Sequence, residues 1–217
     1  MTLDGTERDG GSRRRAARVA LATCLGAAAV LLLANCGPGP VRDDSAEAGF
    51  ARDMATHHAQ AAEMALIVRD VTSDERLRTL AVDIMLTQTT QRGVFMGWLQ
   101  QWDLPQASSR PRMAWMREHD HAASGSQPDG ASGPERMMGM ATADELARLR
   151  GARGVDAEVL FLQLMIRHHE GGVVMAKAIL AESTREEVVA MARSIDESQI
   201  GEIAAMTEML AERGAGR

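Results

Sequence analysis

Cysteine and aromatic residues are scarce in this sequence, and each scarcity excludes a class of protein. Both cysteines, Cys24 and Cys36, fall near the N-terminus, so the rest of the chain has no disulfide framework, thiolate metal site or cysteine nucleophile. Tyrosine is absent, and aromatic residues make up 3% of the chain, whereas methionine occurs 15 times. A core rich in alanine, leucine, valine and methionine suits close-packed helices better than a β-sandwich. The sequence therefore predicts an all-α globular domain.

An excess of positive charge is also missing. The formal net charge is -6, and no basic patch interrupts the acidic domain, which argues against nucleic acid as a partner. The sequence also contains no Ser/His/Asp order of a hydrolase, no phosphate-binding glycine loop and no zinc-protease motif. These absences favour a binding protein over an enzyme.

The N-terminal segment is typical of an export signal. Arg13, Arg14 and Arg15 precede a long apolar run, and Leu33-Ala34-Asn35-Cys36 resembles the bacterial lipobox, although Asn35 departs from its usual small residue. We expect residues 1–36 to be a signal peptide with lipidation at Cys36, and residues 37–47 to be a linker. The protein would then be an extracytoplasmic lipoprotein of the cell membrane, with the membrane as a partner through its lipid anchor. The alternatives are a secreted protein or an uncleaved N-terminal anchor, although the run is short of the roughly 20 residues that span a bilayer.

The remainder of the chain is an internal repeat. The segment from Phe50 to His58 returns as Phe161 to His169, at an offset of 111 residues. The hydroxyl and Glu of Thr72-Ser-Asp-Glu75, and of the matching Ser183-Thr-Arg-Glu186, predict a capping box at the second helix of each copy.

Each copy is therefore predicted to be a helical hairpin. Copy one covers residues 48–102 and copy two residues 156–212, with helices at about 46–70, 74–101, 156–181 and 184–212. Two hairpins pack together as a four-helix bundle, because neither can bury its apolar face alone. A long loop, 103–141, joins them, and a short helix capped by Thr142 and Glu145 follows it.

Histidine and methionine share one stripe of the first helix in each copy. At about 100° per residue, the first methionine, the histidine pair and the second methionine of each copy lie on one side of the helix. The candidate metal ligands are His57, His58, His168, His169, Met54, Met64, Met165 and Met175, together with the loop residues His119 and His121. Imidazole with thioether suits soft ions, so copper is the predicted metal. The alternatives are core-filling methionines and hydrogen-bonded core histidines.

Two glutamines on core-facing positions, Gln88 and Gln199, could hydrogen-bond these histidines and fix their tautomer. A di-iron carboxylate site does not fit, because it needs Glu-x-x-His on two helices. Here Glu170 directly follows His169, and Glu63 lies five residues after His58.

The stretch from Phe161 to Gly171, with Gln199-x-x-Glu202-Ile203, resembles the signature of the bacterial domain-of-unknown-function family 305. The resemblance covers about residues 48–212 and implies a ferritin-like helical bundle. Some members are associated with copper binding or copper resistance, so the four histidines and four methionines of the repeat are the implied ligands. The first copy departs from the signature, since Ala59-Gln60 replaces Glu170-Gly171.

The sequence thus predicts an exported copper-binding or copper-buffering protein, more a binding protein than an enzyme. The alternative is a metal-free structural or protein-interaction module of the cell envelope. A metal-dependent oxidoreductase is a third hypothesis, which would need an open coordination position and a redox partner. The sequence identifies no protein partner.

Overall fold

The computed structural model describes residues 39–116 and 138–216. The predicted export signal, Cys36, His119 and His121 lie outside the described residues. The described part is all-helical, which confirms the predicted fold class. It comprises α1 (Ala46–Val71), α2 (Glu75–Gln101), a 3₁₀ turn (Ala114–Met116), α3 (Ala143–Gly151), α4 (Gly154–Glu182) and α5 (Glu186–Glu212).

The four long helices form two antiparallel hairpins that meet through their first helices. Helix α1 packs against α2 and α4, α4 packs against α1 and α5, and the short α3 contacts both α1 and α4. The helix bounds lie within two residues of those predicted, and α1 begins inside the stretch assigned to the linker. None of the helices in the two described ranges has the length and apolar character that a bilayer span requires.

Contacts between the hairpins repeat with the same 111-residue offset as the sequence. The hydroxyl of Thr72 donates to Glu158 Oε1 at 2.6 Å, and the matching hydroxyl of Ser183 donates to Glu47 Oε1 at 2.8 Å. Each hairpin turn thus binds the start of the first helix of the other copy. The two copies are related in space as they are in sequence.

These contacts correct the prediction of capping boxes at the two hairpin turns. Helix α2 is capped by Asp74, which accepts from the backbone N–H groups of Arg76 and Leu77, while α5 has no side-chain cap. The hydroxyls of Thr72 and Ser183 instead accept the N–H two residues onward and donate to the glutamate of the other copy. The capping box predicted at Thr142 and Glu145 is confirmed.

The apolar core consists of two clusters separated along the inner helices. One cluster contains Met54 and Met175, and the other contains Met64 and Met165. Along α1 the sequence passes from the first cluster to the second through His57 and His58; along α4 it passes the opposite way through the other histidine pair. A layer of imidazoles therefore divides the core at its middle.

A buried histidine layer as candidate metal centre

The histidine layer consists of His57, His58, His168 and His169, and the exposed fraction of each is 0%. The rings of His57 and His168, one from each copy, stack with centroids 3.7 Å apart and planes 31° apart. Within each copy the rings of the two neighbours point apart, with centroids 6.4 Å and 6.3 Å from each other. The structure therefore brings together one histidine of each pair across the repeat.

The other histidine of each pair faces the outer helix of its own hairpin. His58 Nε2–H donates to Gln91 Oε1 at 2.8 Å, and His169 Nε2–H donates to Glu202 Oε2 at 2.5 Å. Gln91 and Glu202 are themselves related by the repeat offset. The same contact thus has a neutral acceptor in copy one and a carboxylate in copy two.

Three of the four imidazoles have a fixed tautomer. Besides those of His58 and His169, the Nε2–H of His57 donates to the backbone carbonyl of Met138 at 3.1 Å. Carbonyl, carboxylate and amide oxygens only accept, so Nε2 carries the proton in each ring and the lone pair lies on Nδ1. Buried metal-binding histidines are commonly oriented by this kind of hydrogen bond on the far ring nitrogen.

Five ring nitrogens of the layer have no hydrogen-bond partner in the described part of the chain. They are Nδ1 of His57, His58 and His169, and both nitrogens of His168. An unsatisfied buried polar atom costs roughly 1–3 kcal/mol, and native proteins contain few of them. His168 is thus the least satisfied member of the layer.

Burial also keeps the imidazoles of His57, His58 and His168 neutral. Desolvation lowers the pKa of His57 and His58 from 6.5 to about 3; the nearby His169 also lowers both, and His57 lowers that of His58. Desolvation likewise lowers the pKa of His168 well below its usual value. A neutral imidazole is the form that binds a metal ion, so the free nitrogens of these three histidines are available at neutral pH.

The glutamines expected to orient the histidines do not do so. Gln88 and Gln199 are buried, but Gln88 Oε1 and both amide atoms of Gln199 lack a partner among the described residues. Gln91 and Glu202, one helical turn further on, make the contact instead. The sequence signal for such a residue was a polar side chain on the core-facing side of the outer helix at both repeat positions. Gln88/Gln199 and Gln91/Glu202 both have this pattern, so the signal could not distinguish them.

The repeat methionines, Met54, Met64, Met165 and Met175, are fully buried and lie on either side of the histidine layer. Among loop methionines, Met116 is part of the Met54 cluster, and Met113 and Met138 pack against it. These three methionines therefore attach the loop to the bundle. No group of three or more His, Cys, Asp or Glu side chains within residues 39–116 and 138–216 is placed to hold a metal ion.

Residues 138–141, called the strap, cross the layer at two repeat-related positions. On α1, the side chain of Gln60 donates to Ala141 O at 2.9 Å and accepts from Ala141 N at 2.7 Å. On α4, a Cβ at Gly171 would lie 2.2 Å from the Met138 carbonyl oxygen. The difference between Gln60 and Gly171 at this repeat position thus has a physical reason. In copy one the side chain of Gln60 hydrogen-bonds the strap backbone, and in copy two Gly171 has no side chain that would clash with it.

Comparisons with known proteins agree with this architecture. The sequence pattern of the family described as domain of unknown function (DUF305) matches residues 47–210. A DUF305 protein from Streptomyces coelicolor, described as a candidate secreted protein, has 47% identity and a TM-score of 0.72, covering 81% of this chain and 98% of its own. A DUF305 fragment from Deinococcus radiodurans has 32% identity and a TM-score of 0.63, covering 81% of this chain and 99% of its own.

A more distant structure shares the fold. CopM in its Cu(I)-bound form has 21% identity and a TM-score of 0.57, covering 77% of this chain and 96% of its own. No protein with a curated description matches the sequence significantly.

Proposed function

This chain belongs to the DUF305 family, whose description assigns no function, and we propose that it is an exported protein that binds Cu(I) at its buried histidine layer. It would buffer or carry the ion rather than catalyse a reaction. The observation that carries the proposal is the set of five unpartnered ring nitrogens in a fully buried layer.

The hydrogen bonds around the layer support a metal site. Met138 O, Gln91 and Glu202 hold the Nε2–H of three rings and leave each Nδ1 lone pair unused. His168, stacked on His57, has both nitrogens unused. Lone pairs that are oriented but unsatisfied suit a ligand that accepts electron pairs.

The donor types favour copper over harder ions. Thioether sulfur and imidazole nitrogen suit Cu(I), whereas carboxylate and carbonyl oxygens suit magnesium or calcium. Buried methionines flank the layer on both sides. CopM, which has this fold, has been solved in Cu(I)-, Cu(II)- and Ag-bound forms, which supports copper as the cargo.

Export is the second part of the proposal. The basic and apolar N-terminal segment and the lipobox before Cys36 support a signal peptide and a lipid anchor in the cell membrane. The Streptomyces coelicolor relative is described as a candidate secreted protein, which agrees with export. A thioether and imidazole site needs no cysteine thiolate, which suits an oxidising compartment.

Anaerobic titration of the purified protein with Cu(I), against a competing chelator, tests the binding site. We expect tight Cu(I) binding and much weaker Zn(II) binding. The double variant His57→Leu/His168→Leu removes the stacked pair and should lower Cu(I) affinity at least tenfold, in the range typical of altered metal sites. Unchanged affinity in a folded double variant would mean that the layer is not the site.

The metal-free alternative rests on the same three hydrogen bonds, which also satisfy buried polar groups. If the histidines are purely structural, His168 should be needed for folding. If the layer is a metal site, His168 should not be needed for folding, because neither of its ring nitrogens has a hydrogen-bond partner. His168→Leu in metal-free protein separates the two. An unchanged or higher melting temperature supports the metal site, and a large decrease supports a structural role.

A further inference from the structure

The strap is a short non-helical segment that lies directly on the histidine layer. The carbonyl oxygen of Met138 accepts the Nε2–H of His57 at 3.1 Å. The next residue, Gly139, lies against the backbone of α4, where an added Cβ would be 2.3 Å from Arg167 O and 3.0 Å from His168 Cα. The strap therefore contacts both residues of the stacked histidine pair, one on each inner helix.

Polar contacts fasten the far end of the strap. Gln60 pairs with both the N–H and the carbonyl oxygen of Ala141, and Thr142 then begins the capping box of α3. Glu145 of that box accepts two hydrogen bonds from the guanidinium of Arg167, at 2.8 Å and 2.7 Å. The residue that precedes His168 thus also holds the element that follows the strap.

Long helices cover the other two histidines. His58 and His169 face α2 and α5, which are joined to the inner helices by fully buried apolar side chains of both core clusters. Moving either helix away would expose those side chains to water, whereas releasing the strap mainly exchanges its hydrogen bonds for hydrogen bonds to water. Local openings occur where few apolar contacts are lost. Of these covers, the strap costs least to open.

We propose that the strap is the entrance to the histidine layer. It detaches from α1 and α4 while the four long helices stay packed, and this opening admits solvent and small ligands to the stacked pair of His57 and His168. Opening also removes the acceptor of His57 Nε2–H, so the same step exposes the ring and frees its proton. The inference goes beyond the proposed function, because it concerns access to the layer whichever ligand enters.

Chemical modification of the metal-free full-length protein at neutral pH tests the entrance. Diethyl pyrocarbonate acylates neutral imidazole, and mass spectrometry assigns the modified histidine. His57 should react faster than His58, at a rate that changes little in low urea, because strap opening exposes little surface. The reaction of His58 should instead follow the steep urea dependence of global unfolding. The same rate and urea dependence at both histidines would overturn the entrance.

Two glycine variants separate strap opening from general destabilisation. Gly139 has a φ of 74°, so Gly139→Ala adds left-handed strain and a clash with Arg167 O, both of which opening relieves. The rate at His57 should rise about tenfold or more, as the cost of a left-handed L-residue implies. Gly154→Ala is the control, since its φ is 56° in open space away from the strap, and it should leave this rate nearly unchanged.

Equal acceleration by the two variants would show that His57 is reached by global unfolding and would overturn the inference. If Gly139→Ala does not fold, the comparison of His57 with His58 in the wild-type protein decides. All of these measurements use metal-free protein, so a failure of the entrance is distinct from a failure of copper binding.

Discussion

Between about pH 6.5 and pH 5, the free energy of unfolding is expected to fall steeply in the metal-free protein. His57 and His58 have a pKa of about 3 in the folded protein against 6.5 for a free imidazole, and that of His168 is also well below it. Protons therefore bind preferentially to the unfolded chain. The contribution of neutral, buried histidine is complete above pH 6.5 and is lost as the pH falls towards 3.

The expected magnitude is large for a protein of this size. Each such histidine reduces the free energy of unfolding by about 1.4 kcal/mol per pH unit below its unfolded pKa. Three together give about 4 kcal/mol per unit, and total stability is typically about 5–15 kcal/mol. Urea unfolding at several pH values measures the slope directly. A free energy that stays level from pH 7 to pH 5 would contradict the burial of neutral histidines.

His168→Leu provides the matched control for this slope. The variant removes one of the three titrating groups, so the pH dependence should decrease by about 1.4 kcal/mol per pH unit. An unchanged slope would mean that His168 is not protonated on unfolding in this range.

Gly171→Ala is expected to lower the free energy of unfolding by about 1–3 kcal/mol, the usual cost of overpacking. The added Cβ would lie 2.2 Å from the carbonyl oxygen of Met138, and a backbone atom cannot move aside as a flexible side chain can. Displacing the strap also removes the acceptor for His57 Nε2–H. Thermal and urea unfolding of the metal-free variant measure the loss.

Gly201→Ala is the control, because it makes the same substitution inside α5 at a position with open space around it. It should raise stability by roughly 0.5–1 kcal/mol, since alanine is the better helix former. If both variants change stability equally, the strap does not press against Gly171.

The helix bounds were predicted closely because they depend on residues that are near one another in the sequence. Periodicity placed the core-facing residues, and the short α3 helix begins at the capping box formed by Thr142 and Glu145. The two other predicted capping boxes are wrong for a reason that is not local. Thr72 and Ser183 donate to glutamates of the opposite copy, and such a contact depends on how the hairpins pack.

The site was harder to predict than the fold. The repeat identified the four histidines. Helical periodicity, however, shows only the face of the helix on which a residue lies, and not which residue of the neighbouring helix it contacts. Gln88 and Gln91 lie about 60° apart around α2, at 100° per residue, so both fall on the buried side. Only the packing of α2 on α1 decides that Gln91 contacts His58. The strap contact of Gln60 likewise joins segments 81 residues apart.

X-ray absorption at the copper edge of the Cu(I)-loaded protein tests the central claim most directly. A site in the histidine layer predicts imidazole nitrogen bound to the ion, with the multiple-scattering pattern of a histidine ring. That pattern should be lost in the double variant His57→Leu/His168→Leu. A spectrum with sulfur ligands alone, unchanged in this variant, would place the copper outside the histidine layer and contradict the account.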